Sequence, residues 1–108
     1  MLVKNLVNYR GNEVRNQFVI ETEKAIYFQS YQSVVAKIEY VKNVGRVLTL
    51  GEDWDYSTTT SKHLHTFLYD YFYKKYTKKE LEKLIENGTV KYDENLGIEE
   101  WGVQHEIL

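Results

Sequence analysis

Apolar residues recur at every second position through the first half of the chain and at every third or fourth position after residue 63, and this change of period divides the sequence. Residues 2–9, LVKNLVNY, and 14–21, VRNQFVIE, are β-prone runs joined by Arg10-Gly11-Asn12. A short polar link whose glycine tolerates positive φ predicts a hairpin. In AIYFQSY, Ile26, Phe28 and Ser30 alternate with Tyr27, Gln29 and Tyr31; in VVAKIEYV, Val34, Ala36, Ile38 and Tyr40 alternate with Val35, Lys37 and Glu39. Both read as half-buried strands. Lys42-Asn43-Val44-Gly45 turns the chain into RVLTL, which ends at Gly51. Short loops between successive strands predict an antiparallel meander of about five strands over residues 1–51.

Leu64, Phe67, Leu68, Tyr71 and Phe72 then fall at helical spacing and place one apolar stripe on a helix over residues 58–74, the cover for one face of the sheet. Thr77-Lys78-Lys79-Glu80 is a capping box, in which hydroxyl and carboxylate each satisfy a free backbone N–H; Leu81, Leu84 and Ile85 follow, and Asn87-Gly88 ends the second helix. Two helices thus occupy residues 58–87. The segment 88–108 starts strand-like at Val90 and Tyr92 and continues as isolated apolar anchors among acids. The expected architecture is a single α+β domain, with an antiparallel sheet packed by two helices.

A length of 108 residues suits one hydrophobic core. At 43% hydrophobic and 15% aromatic residues the chain is too apolar for a disordered protein. The absence of cysteine excludes disulfides and thiol or zinc-thiolate chemistry, and points to a reducing cytoplasmic setting. No window approaches the ~18 apolar residues of a membrane span, so no membrane role is expected. Ten tyrosines against four phenylalanines suggest a half-buried or binding surface, because a tyrosine ring is apolar while its hydroxyl wants a partner. Net charge is 14 − 16 = −2, distributed unevenly. Residues 62–91 carry seven Lys against four acids, while 92–108 carry five acids and no Lys or Arg.

The densest chemistry lies in DYSTTTSKHLH, residues 55–65, where strand period gives way to helix period. Ser57 or Thr58 is the expected N-cap, with Trp54 and Tyr56 anchoring the junction. A serine nucleophile would need a base and an oxyanion site, and no Gly-x-Ser-x-Gly elbow is present. His63 and His65 are ~200° apart on a helix and so cannot share one metal ion, and Asp70, seven residues after His63, is too distant along the helix to bond it directly; His105 lies in the tail. No metal or cofactor is expected. FYKKYTKK, residues 72–79, interleaves aromatics with Lys74, Lys75, Lys78 and Lys79, and with Lys62 these form a candidate nucleic-acid patch as well as a solvated link between helices. In the tail, Asp93, Glu94, Glu99, Glu100 and Glu106 flank Trp101, a pattern that suits both an acidic contact with a basic groove and a solvated C-terminus.

Asn16-Gln17-Phe18, Phe28-Gln29-Ser30-Tyr31 with Ser33 and Ala36, and Trp54-Asp55-Tyr56-Ser57 with Thr59-Thr60, Lys62, Leu64 and Phe67-Leu68 resemble a family of short proteins encoded by phages and mobile elements of Gram-positive bacteria. The resemblance covers roughly residues 8–68, and its Trp-Asp-Tyr-Ser then Thr-Thr order is the most specific part. It implies a stoichiometric inhibitor without cofactor, acting in the host cytoplasm on a bacterial defence nuclease, with a type II CRISPR effector as the expected partner. Under that reading Asn16, Gln29, Tyr31, Asp55 and Tyr56, with Tyr27 on the same strand face, form an exposed polar-aromatic contact surface, joined by Glu99, Glu100 and Trp101. Asn16, Gln29 and Asp55 are equally suited to satisfying backbone groups within the sheet. The alternative is a small nucleic-acid-binding regulator using the five lysines; a third reading is a hydrolase built on His63 and Asp55.

Overall fold

The computed structural model describes residues 1–98. Its first hairpin is organised by Asn8, whose Oδ1 accepts from the backbone N–H groups of Arg10 (2.9 Å) and Asn12 (3.0 Å), while Gly11 takes the left-handed φ of +84° that the tip requires. On either side run β1 (Leu2–Val7) and β2 (Glu13–Glu21), followed by β3 (Ala25–Ser30), β4 (Ser33–Val41) and β5 (Gly45–Gly51), each antiparallel to its predecessor. Helices α1 (Thr58–Phe72) and α2 (Lys78–Glu86) come next, then a short strand, β6 (Lys91–Asp93). The sheet is therefore six-stranded in the order β1 to β6, and it is mixed: β6 pairs parallel to β5. Two helices form the long crossover that parallel pairing demands, and a bond from Val90 N to Leu84 O (3.0 Å) turns the chain back beside β5. The α+β class is as expected; the sixth strand makes the start of segment 88–108 part of the sheet.

α1 lays its stripe on the sheet. Leu64, Phe67 and Leu68 are wholly buried against Leu6, Val19, Phe28, Ala36, Ile38, Leu48 and Leu50, with Trp54 and Leu81 closing the ends of this core. Phe67 stacks on Phe28 at 5.5 Å between ring centroids and meets Tyr71 at 5.0 Å. Each such buried side chain contributes about 1.5–3 kcal/mol of transfer free energy. The helix ends at Phe72, two residues before the predicted limit, because Tyr73 adopts φ 55° and its N–H returns to Tyr69 O. Arg46 donates to the carbonyl of Tyr71 and stacks 5.0 Å over Phe72, satisfying the exposed helix end. In α2 the capping box forms as read, with Thr77 N to Glu80 Oε1 at 2.8 Å and Glu80 N to Thr77 Oγ1 at 3.1 Å.

Two expectations from simple alternation fail. Phe28 pairs with Ala36 but Gln29 pairs with Val34, so Val35 is an extra residue, a β-bulge. The bulge sends Val35 and Ala36 to the helix-covered core and Val34 to the opposite face. There a second cluster assembles from Ile20, Ala25, Tyr27, Val34 and Leu96. Tyr27, expected on an exposed surface, is 4% exposed within it, because the chain after β6 brings Leu96 back across that face. Gly51 makes this possible: a Cβ there would lie 2.7 Å from Val34 O and 3.3 Å from Leu96.

Candidate functional site

The β3–β4 turn has only Tyr31 and Gln32 between paired Ser30 and Ser33, and closing it puts Tyr31 at φ 55°. For a bulky L-residue this left-handed backbone is strained by about 1–3 kcal/mol. Asn16 in β2 takes φ 63° beside it, and its carbonyl accepts from Tyr31 N at 2.7 Å. Gln29 braces the same turn, its Nε2 donating to Tyr31 O at 2.7 Å. These bonds hold the strained residue with its ring outward, 57% exposed.

Across from Tyr31 lies the junction between β5 and α1. Trp54 is buried and anchors it, but Tyr56 does not: it is 79% exposed, since Trp54 alone fills the space at the sheet's end. Between Tyr31 and Tyr56 opens a cavity of about 270 Å³ with a floor of Ser30, Ser33, Asp53, Ser57 and Thr60. The floor is internally bonded. Ser33 Oγ donates to Asp53 Oδ2 at 2.9 Å, Ser57 Oγ accepts from Thr60 N at 3.1 Å as the N-cap of α1, and Ser30 and Thr60 hydroxyls lie 3.4 Å apart. The hydroxyl run is thus both helix cap and wall of a cleft flanked by two exposed tyrosines. Its two exposed rings suit recognition, because tyrosine is enriched at interface centres, while the hydroxyl and carboxylate floor can offer hydrogen bonds to a partner's polar groups.

Of the expected contact residues, Tyr31 and Tyr56 line this cavity, whereas Asn16 and Gln29 brace the Tyr31 turn and are not among its lining residues. Asp55 turns away to a neighbouring cleft of about 370 Å³, shared with Ser57, Thr58, Ser61, Lys62 and Lys78, where it pairs with Lys78 at 3.7 Å. An exposed pair of this kind is worth at most about 1 kcal/mol. Glu99, Glu100, Trp101 and His105 lie outside the described residues. Ser33 entered the sequence reading only as part of the resemblance and Asp53 not at all; the signal for Asp53 is its position beside Trp54. Gln17 is buried two residues before Val19 in β2, and its Oε1 has no hydrogen-bond partner among the described residues.

The five lysines have different neighbours. Lys62 and Lys78 flank Asp55, Lys74 lies 5.0 Å over the ring of Tyr76, Lys75 lines a larger cavity, and Lys79 is exposed on α2. The larger cavity, about 670 Å³, lies between the β1–β2 hairpin and the outer side of α1, with Tyr9, His65, Tyr69, Asp70 and Tyr76 on its walls. A further cavity of about 470 Å³ adjoins it, lined by Arg10, Arg15, Lys62 and His63 among others. His63, His65 and Asp55 thus line three different cavities. Burial, helped by the charge of Lys62, pushes the His63 imidazolium below its ordinary pKa, and burial pushes the Asp70 carboxyl up against the opposing charge of Lys4. His65 bonds the Ser61 carbonyl through Nδ1 at 2.6 Å. Among the described residues no three His, Asp or Glu side chains gather as metal ligands, and no helix is long and apolar enough to cross a membrane.

Residues 1–83 match the model of a protein family described as a family of unknown function (DUF8033), a stretch that runs from β1 into α2 and contains the whole Tyr31–Tyr56 cleft. No curated protein and no solved structure matches the chain.

Proposed function

The chain belongs to the DUF8033 family, whose function is unknown, and from that premise we propose that it is a non-enzymatic binding protein that engages a macromolecular partner through the Tyr31–Tyr56 cleft. The observation that carries this reading is Tyr31 itself: the fold spends backbone strain to present a large ring at a hairpin tip where glycine would be free of it. Strain of this kind persists where neighbouring bonds enforce it, and Asn16 and Gln29 do so. Tyr56 supplies a second exposed ring, and the hydroxyl floor between them offers donors and acceptors to a partner's side chains. Tyrosine is among the residue types that most often carry the binding energy of an interface. The separation of His63, His65 and Asp55 into different cavities favours binding over hydrolysis.

The resemblance over residues 8–68 supplies the partner: a bacterial defence nuclease in the host cytoplasm, with a guide-loaded type II CRISPR effector first. The test is size-exclusion chromatography of the mixed proteins, followed by calorimetric titration. A co-eluting stoichiometric complex is expected, weakened about tenfold or more by Tyr31→Ala and by Tyr56→Ala. Separate elution refutes the partner. A complex that forms equally well with both variants refutes the surface.

A further inference from the structure

The two cavities beside the β1–β2 hairpin share the walls Asn8, Tyr9 and Thr66, so they form one continuous lane along the outer side of α1. Its cations are Arg10, Arg15, Lys62 and Lys75; its acids are Glu13 and Asp70. The lane therefore carries a formal charge of 4 − 2 = +2, on a protein whose total is −2. Tyr69 and Tyr76 line one half and Tyr9 belongs to both. Tyr9 is 87% exposed, with the Arg10 guanidinium 5.6 Å from its ring centroid. None of these residues takes part in the Tyr31–Tyr56 cleft.

A small anion would need only one end of such a lane, and a duplex would hide the base faces from the three rings. An extended polyanion with exposed aromatic faces uses all of it: phosphates meet the four cations and bases stack on tyrosines. We propose that this lane binds single-stranded nucleic acid, as a second site independent of the cleft that engages the macromolecular partner. His63 and His65 add hydrogen-bonding capacity on α1, and Asn8 and Thr66 between the cavities offer polar contacts to the strand at its midpoint.

The test is fluorescence anisotropy of a labelled oligothymidylate of about twelve nucleotides titrated with the full chain. Four phosphate contacts give a slope near −3 for log affinity against log salt, a loss of about 50-fold between about 50 and 200 mM salt. An abasic oligomer of the same length is expected to bind about fivefold or more weaker, because it cannot stack. Tyr9→Ala and Lys75→Ala, both exposed positions, are expected to weaken binding, with circular dichroism confirming an intact fold. Lys42→Ala removes the same charge from the β4–β5 turn, outside both cavities, and is expected to have a smaller effect than Lys75→Ala. The proposal is overturned by no saturable binding at the lower salt, by equal affinity for the abasic oligomer, by tighter binding of a duplex, or by equal losses from Lys42→Ala and Lys75→Ala. A chain that fails here and still binds its partner through Tyr31 and Tyr56 leaves the first reading standing.

Discussion

Replacing Tyr31 by glycine separates the cost of its backbone from the use of its side chain. At φ 55° a non-glycine residue is disfavoured by about 1–2 kcal/mol. Glycine removes that strain but adds conformational freedom to the unfolded chain, which costs about 0.5–1 kcal/mol. The remainder favours Tyr31→Gly over Tyr31→Ala by about 0.5–1 kcal/mol. Alanine is the proper comparison, since both variants lose the same ring contacts while only alanine keeps a Cβ in the left-handed region. In a domain of this size each kcal/mol moves the melting temperature by about 4–8 °C, so the glycine variant is expected to melt roughly 2–8 °C above the alanine variant. Chemical denaturation with an unchanged slope checks that the native state, rather than the denatured ensemble, has changed. Partner binding should fall in both variants alike. If the glycine variant melts no higher than the alanine variant, the turn is not strained, and the argument that the fold maintains Tyr31 for recognition loses its basis.

Other outcomes follow from the packing and the caps. Phe67→Ala, at a wholly buried position stacked on Phe28, is expected to cost about 3–5 kcal/mol by denaturant titration, and a loss under 1 kcal/mol would contradict the role given to the α1 stripe. Ser57→Ala removes the acceptor of Thr60 N and should cost about 1 kcal/mol, whereas Thr58→Ala should be nearly neutral; equal effects would displace Ser57 as the cap. Gly51→Ala pushes a methyl group against Val34 O and Leu96, and melting curves should show a loss of about 1–3 kcal/mol. Burial first, then the charge and hydrogen bond of Glu21 at 3.4 Å and the charge of Asp70, push the Tyr71 phenol up to about 12. Because the folded pKa is raised, this stability is complete below pH 10 and is lost as pH climbs through about 12. Tyr71→Phe should therefore resist alkali better, and absorbance titration of the wild type should show a late-ionising tyrosine that is missing from Tyr71→Phe; identical late phases in the two proteins would refute it.

Local chemistry wrote most of the elements into the chain. Leu64, Phe67, Leu68, Tyr71 and Phe72 recur at a spacing only a helix can gather on one side, Thr77 and Glu80 cap each other across one turn, and Gly11 provides the positive φ of the first hairpin. These interactions span few residues, so they are readable without knowing what lies opposite. The bulge at Val35, the parallel pairing of β6 and the burial of Tyr27 under Leu96 depend on partners tens of residues away, and strand alternation carries no record of them. The end of α1 was obscured for a local reason: Tyr73 takes the left-handed cap that sequence rules assign to glycine. The cleft is the clearest case. The resemblance over residues 8–68 marked Tyr31 and Tyr56 as candidates, but only the packing of the β3–β4 turn beside the α1 junction brings them to one cavity, because residues so far apart along the chain meet only in the folded sheet-and-helix layer.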